Sequence, residues 1–337
     1  MKKANHRWLS PLVLVAILSV CIVLAACVGK YPVSPGESLE ILLSALLGRA
    51  GSSDQMTRNV VLGLRVPRIL ASVIVGGALS MSGGAYQGIF KNPLVSPDFL
   101  GVSSGACIGA AVAILLSLSS EGISVFAFVF GVAAVLITAA IPAVMGNRSN
   151  VMLVLSGIIV GTALSSTLGF IKYIADPNTQ LASITYWTMG SFSYITLADL
   201  FAVLPVILLP AVVLILMAWW IDVLSMGEDE ARALGARVGL LRGITIICAT
   251  LLTAGSVCIA GTISWVGLIV PHFGRMLVGS SNRKLLPMCA LLGGLFMLLV
   301  DTLTRILGTA EMPVSILTGV LGAPIFCWLL FRQRREL

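Results

Sequence analysis

Charge is scarce in this chain. Only 10% of its 337 residues are Asp, Glu, Lys or Arg, whereas a soluble globular domain carries about 25%. So few charges cannot cover a water-facing surface, which excludes a soluble enzyme, a nucleic-acid module and a disordered regulator. Histidine is scarcer still, limited to His6 and His272. None of the seven cysteines forms a CxxC pair or has histidine neighbours at metal-ligand spacing. No protein-held metal site is therefore expected, and the cysteines read as small packable residues. HExxH helices, buried carboxylate pairs and a Ser/His/Asp set are missing, so no catalytic residue is assigned. A G-x-x-x-x-G-K-[ST] loop is missing too, so nucleotide phosphates are not cradled by that route. The net charge of +7 does not restore nucleic acid as a partner, because no stretch interleaves Lys or Arg with aromatics.

What the chain has in quantity is apolar sequence: 58% of residues are hydrophobic, and the mean hydropathy is +1.04. A helix needs about 20 apolar residues to cross the hydrocarbon. Runs near that length lie at 9–29, 69–90, 99–118, 123–145, 151–171, 200–221, 285–300 and 314–331. A further run, 243–274, holds no Asp, Glu, Lys or Arg over 32 residues. As one helix it would be about 48 Å long, too long for a core of roughly 30 Å.

Charge placement decides how that run is divided. Lys2, Lys3 and Arg7 at one end and Arg332, Arg334 and Arg335 at the other place both termini in the cytoplasm, which requires an even number of spans. A break near Gly261–Ser264 gives spans of 243–262 and 264–279 and a total of ten. Seven basic residues then face outward (Lys30, Arg49, Arg58, Arg65, Arg68, Lys172, Arg305), leaving 14 of 21 inside. The letters Leu24-Ala25-Ala26-Cys27 resemble a lipoprotein cleavage site but read here as part of the first span. Segment 36–48 is too short to span and suits an amphipathic surface helix.

Gly101, Gly105 and Gly109, then Gly157 and Gly161, recur at spacing four, as helix backbones in close contact require. Pro205, Pro210 and Pro271 fall inside spans. Asp98, Asp176, Asp199, Asp222 and Asp301 all fall at span ends or in loops, so no mid-membrane ionisable residue marks a proton-coupled transporter. His272, beside a proline, reads as a packed residue rather than a proton relay. The one large polar cytoplasmic segment, 223–242, begins acidic, as a helix N-terminus prefers. Gly235 offers a C-cap or tight turn before a second short helix.

Several motifs together resemble one family. They are Arg65-Val66-Pro67-Arg68, Gly76-Gly77-Ala78, Ser82-Gly83-Gly84, Gln87-Gly88, Asn92-Pro93-Leu94 through Pro97, and Leu100-Gly101-Val102. Gly235, Gly267-Leu268 with Pro271-His272 and Arg275, and Leu321-Gly322-Ala323-Pro324 complete the set. In this order they resemble the FecCD-type permeases of bacterial ABC importers for iron siderophores, haem and cobalamin. The resemblance implies an all-α polytopic membrane protein with ten transmembrane helices, the type II ABC importer permease fold. Residues 1–337 would form a single transmembrane domain, with coupling segment 223–242 inside and segment 30–68 outside.

The resemblance further implies a homodimer in the bacterial cytoplasmic (inner) membrane, served by two ATPase subunits and an external substrate-binding protein. This chain would bind no cofactor, ATP and Mg being held by the ATPase. Ser149, Asn150, Ser156, Gly157 and Thr162 would border the substrate path, and Asn92 and Leu94 its cytoplasmic constriction. Glu230, Ala231, Leu234, Gly235, Ala236 and Gly239 would rest on the ATPase as a pair of coupling helices. Arg65, Arg68 and Arg305 would dock acidic residues of the binding protein. The favoured substrate is a ferric siderophore, with haem, cobalamin and molybdate as alternatives. A self-sufficient secondary transporter or channel is the competing class.

Overall fold

The computed structural model describes residues 11–48, 53–146, 149–307 and 311–333. Lys2, Lys3, Arg7, Arg49, Arg334 and Arg335, on which part of the charge argument stands, lie outside the described residues. Among the described residues there are helices and turns but no strand.

The helices are α1 (Pro11–Cys27), α2 (Pro35–Leu46), α3 (Gln55–Phe90), α4 (Val102–Leu115) and α5 (Ser120–Val144). They continue as α6 (Asn150–Ile174), α7 (Gln180–Met189), α8 (Leu197–Leu216), α9 (Ala218–Met226) and α10 (Glu228–Ala233). The last are α11 (Val238–Ala260), α12 (Val266–Val278), α13 (Asn282–Ile306) and α14 (Val314–Gln333). Among the described residues six of them (α3, α5, α6, α8, α11 and α13) are long and apolar enough to cross a membrane. Four shorter apolar helices, Pro11–Cys27, Val102–Leu115, Val266–Val278 and Val314–Leu329, occupy the other expected runs.

Local chemistry sets the ends. Ser34 accepts the Glu37 amide at 3.2 Å and Pro35 follows at the first helical position, so segment 36–48 becomes helical as α2. Thr196 and Asp199 form a reciprocal capping box at the start of α8. The long apolar run breaks where its length and the placement of charge required. Helix α11 stops at Ala260 as Gly261 takes φ +69°, and α12 begins at Val266 after Trp265 at φ +74°. A Cβ on Gly261 would meet the Trp187 carbonyl and the Gly190 backbone, so this turn admits no larger residue.

Helix α3 is the centre of the fold, buried along most of its length and packed on α13, α11 and α12. In lipid, helix association rests on close backbone approach rather than on a hydrophobic drive. Gly76 and Gly293 meet reciprocally: a Cβ on either would run into the carbonyl of the other. A Cβ on Gly83 would likewise run into the Gly267 carbonyl of α12, while one on Gly267 would meet Pro97 and the Leu79 carbonyl. Gly105 and Gly109 seat α4 on the Phe130 and Phe126 carbonyls of α5, as their spacing foretold. Gly101 does something else, taking φ +83° to close the 3-10 turn Pro97–Leu100. The expected pair on α6 is also split. Gly157 abuts the Phe99 carbonyl, whereas Gly161 has open space beside it.

Candidate functional site

At one end of the bundle, three arginines gather around α13. Arg68 places Nε 2.8 Å from Asp301 and Nη1 2.9 Å from Glu311, and donates at 3.3 Å to Thr304 and Ser193. Arg305 lies 3.5 Å from the other oxygen of Asp301 and donates to the carbonyls of Ala25 and Val28. Arg65 donates to the carbonyls of Ala26, at 2.6 Å, and Tyr31. All three residues are buried, as is Asp301. The sequence favours an outward docking role for these arginines, with a local pair to Asp301 four residues earlier as the alternative for Arg305; the structure forms that pair and turns all three inward to tie α1, α3, α13 and the 311–313 segment together. Asp301 stands near a helix end, as expected, yet it is fully enclosed. Glu311, which the sequence did not single out, also accepts from Ser193, and its carbonyl accepts from Tyr186 at 3.0 Å. Between α7, the N-terminal ends of α5 and α8 and the C-terminal end of α11 lies a cavity of about 450 Å³, lined in part by Tyr186, Trp187, Tyr194 and Asp199. Asp199 is already held by Thr196, so this cavity presents rings and hydroxyls.

Helix α6 has one narrow packed edge and one wide free face. Leu153, Ser156, Gly157 and Val160 are buried, while Val151, Leu155, Ile158, Ile159, Thr162 and Phe170 are exposed. The expected path residues therefore divide. Thr162 stands on the free face. Ser156 bonds back to the Met152 carbonyl at 2.8 Å and Gly157 sits on Phe99, so both belong to the packed edge. Ser149 caps the helix at the Met152 amide, and Asn150 donates to the Ile89 carbonyl of α3 at 3.3 Å. The free face carries no Asp, Glu, Lys or Arg between Val151 and Ile171.

The loop after α3 begins with Lys91 in the left-handed region at φ 53°. Asn92 then accepts the Leu94 amide at 2.9 Å, an Asx turn that leaves Leu94 48% exposed. Gln87, buried beneath this loop, bonds to Val95, Gly267, Leu268 and Arg275.

The polar segment folds as one short helix, α10, followed directly by α11. The expected second short helix is the first turn of α11, because the helix that starts at Val238 runs unbroken to Ala260. Gly235, at φ +80°, donates to the Arg232 carbonyl at 2.9 Å, and Ala236 donates to Ala231 at 2.9 Å. This is the Schellman pattern, with Ala231 and Ala236 buried behind it. Leu234 and Leu240, 53% and 55% exposed, stand out from the surface with Gly235 and Gly239 between them. Glu230 is exposed one turn earlier. Glu228 bonds Arg242 at 2.6 Å and Arg232 at 3.2 Å. The Arg242 hydrogen bond holds the Glu228 carboxyl below the usual carboxylate range. Asp222 accepts from Ser281 at 2.9 Å and from the Asn282 amide at 2.7 Å, joining α9 to the start of α13.

Among the described residues no three His, Cys, Asp or Glu side chains gather at metal-binding range.

Comparison with known proteins gives this arrangement a family. The FecCD transport family matches residues 17–332. The molybdate import system permease MolB of Haemophilus influenzae is 37% identical over 322 residues, covering 96% of this chain and 95% of its own. The hemin transport system permease HmuU of Yersinia pestis is 35% identical over 294 residues, covering 85% and 87%. A solved inward-facing structure of a metal-chelate type ABC transporter superposes with a TM-score of 0.86 at 36% identity, covering 96% of this chain and 98% of that one. The chain, with its buried α3 scaffold, uncharged α6 face and capped polar segment, belongs to the FecCD transport family of ABC importer permeases.

Proposed function

We propose that this chain is the membrane-spanning subunit of an ATP-driven importer that takes up an iron chelate delivered by an external binding protein. Two copies would face each other across the free faces of α6, each crossing the inner membrane ten times with both termini in the cytoplasm. Two ATPase subunits would seat against Leu234, Gly235, Gly239 and Leu240. The observation that carries this reading is the pairing of an uncharged free face on α6 with an exposed, capped polar segment at α10, which this reading assigns to the cytoplasm. The first can let a solute pass without holding it. The second gives an outside engine something rigid to push. Docking of the binding protein by Arg65, Arg68 and Arg305 would require exchange of their internal partners, and Glu311, the most exposed of these, is the one most readily displaced.

A second substrate, molybdate, is favoured by the relative MolB, which matches nearly the whole chain. The permease should be reconstituted in proteoliposomes with its ATPase and binding protein, and uptake of labelled ferric chelate and of labelled molybdate compared. ATP-dependent accumulation of the chelate is expected. Accumulation that persists without the ATPase would overturn the importer reading, and accumulation of molybdate alone would replace the substrate.

A further inference from the structure

Gln87 is a buried amide near the cytoplasmic end of α3, 3% exposed, and both ends of its side chain are engaged. Its Nε2 lies 3.2 Å from the Val95 carbonyl, 3.4 Å from that of Gly267 and 3.3 Å from that of Leu268. Its Oε1 accepts from Arg275 Nη1 at 2.5 Å. The orientation of the amide is fixed by chemistry, since a guanidinium can only donate and three carbonyls can only accept. Two protons thus serve three carbonyls, and one charged donor serves the oxygen.

Three segments meet on this side chain: α3 itself, the loop carrying Asn92 and Leu94, and α12. Their backbones are too close for any of them to shift alone. A Cβ on Gly83 would run into the Gly267 carbonyl, and one on Gly267 would lie 2.6 Å from the Pro97 ring. The Pro97–Leu100 turn in its turn supports α6, where Gly157 rests on the Phe99 carbonyl. A continuous chain of contacts therefore runs from Arg275 through Gln87 and Val95 to the turn beneath α6. The partner of Arg275 is a neutral amide rather than a carboxylate. A neutral acceptor positions the guanidinium without the stronger hold of an ion pair, which suits a contact that must be remade in each cycle.

We propose that Gln87 is a positioning residue of the transport cycle: it fixes the Asn92–Leu94 loop and the Pro97–Leu100 turn to α12. A movement of α12 at Arg275 then shifts the turn that carries α6. The consequence for transport rests on the importer reading above, whereas the anchoring of the loop does not.

The test has two arms. In the first, amide hydrogen exchange is measured on the full chain in lipid nanodiscs. Gln87→Met keeps the volume but removes the bonds, and Gln87→Glu keeps an acceptor for Arg275 but loses both donors. In each variant, exchange at residues 94–101 should rise about tenfold, while residues 290–300 of α13 stay within about twofold of wild type. Wild-type protection of 94–101 in Gln87→Glu, or an equal rise throughout α13, would overturn the anchor. Arg275→Met combined with Gln87→Met should be no worse than the single variants.

In the second arm, uptake per ATP is measured with ferric chelate or molybdate, whichever the wild-type assembly takes up. Gln87→Met should lower this ratio about tenfold with basal ATP hydrolysis within about twofold. A parallel fall of uptake and hydrolysis, leaving the ratio unchanged, would overturn the transmitting role. Failure of wild-type uptake in this arm would count against the importer reading, and the exchange arm would still judge the anchor.

Discussion

Without its carboxylate, Asp301 would leave Arg68 and Arg305 side by side at a buried site with no counter-charge between them. Taking one partner from a buried ion pair costs about 3–5 kcal/mol, because the remaining charge stays desolvated. Asp301→Asn should therefore lower the thermal unfolding temperature of the purified permease strongly. Glu311→Gln removes a carboxylate 43% exposed and should cost no more than about 1 kcal/mol. Intrinsic fluorescence during a thermal ramp compares the two; equal losses would show that the outer network does not centre on Asp301. The same residue illustrates how far single positions can be read. Its place near a helix end, four before Arg305, was evident from sequence, but its complete burial follows only from the arrival of Arg68 from a helix 233 residues away in the chain.

Elements show the same division in their glycines. Gly157 and Gly161 are indistinguishable by spacing, yet a Cβ on the first would run into the Phe99 carbonyl and one on the second would meet open space. Gly157→Ala should destabilise the protein by about 1–3 kcal/mol, as overpacking does, while Gly161→Ala should be neutral or slightly stabilising. Thermal unfolding of the two single variants decides it, and an equal response would refute the assignment of the packed edge. Helix α10 carries a pH dependence with a definite sign. Glu228 is held below the usual carboxylate range by Arg242, so the contribution of the pair is complete above that range and is lost as pH falls through the lowered value. Exchange protection of residues 231–236 should thus decline in acid in the wild type. In Arg242→Met it should already be reduced at neutral pH and show a flatter decline. Helix α7 had no counterpart in the sequence reading. Its ten residues mix Tyr, Trp, Thr and Ser with Leu and Ile, and carry no periodic apolar stripe that marks a helix. Contacts to α4 and α14 hold it in place.

For the whole molecule, orientation is the property that organises every site. Tyr194 lies on the side assigned to the exterior, and Leu94 and Leu234 on the side assigned to the cytoplasm, all substantially exposed. In a Cys327→Ser background, which removes the exposed native thiol, Tyr194→Cys should react with a membrane-impermeant maleimide added to whole cells. Leu94→Cys and Leu234→Cys should react only in inverted vesicles. Any exchange of sides would reverse the proposed topology.

Sequence alone determined that the chain is a bundle of apolar helices, where the long run breaks, and which family it belongs to. Those properties follow from quantities local in the chain: apolar run length against bilayer thickness, the side on which charges sit, and short motifs in order. Tertiary structure alone decided that Arg65, Arg68 and Arg305 turn inward, that Ser156 and Gly157 leave the free face of α6, and that Gln87 joins α3, the loop and α12. Each depends on which backbone comes within bonding distance of a side chain from a remote segment, and no local pattern encodes that distance.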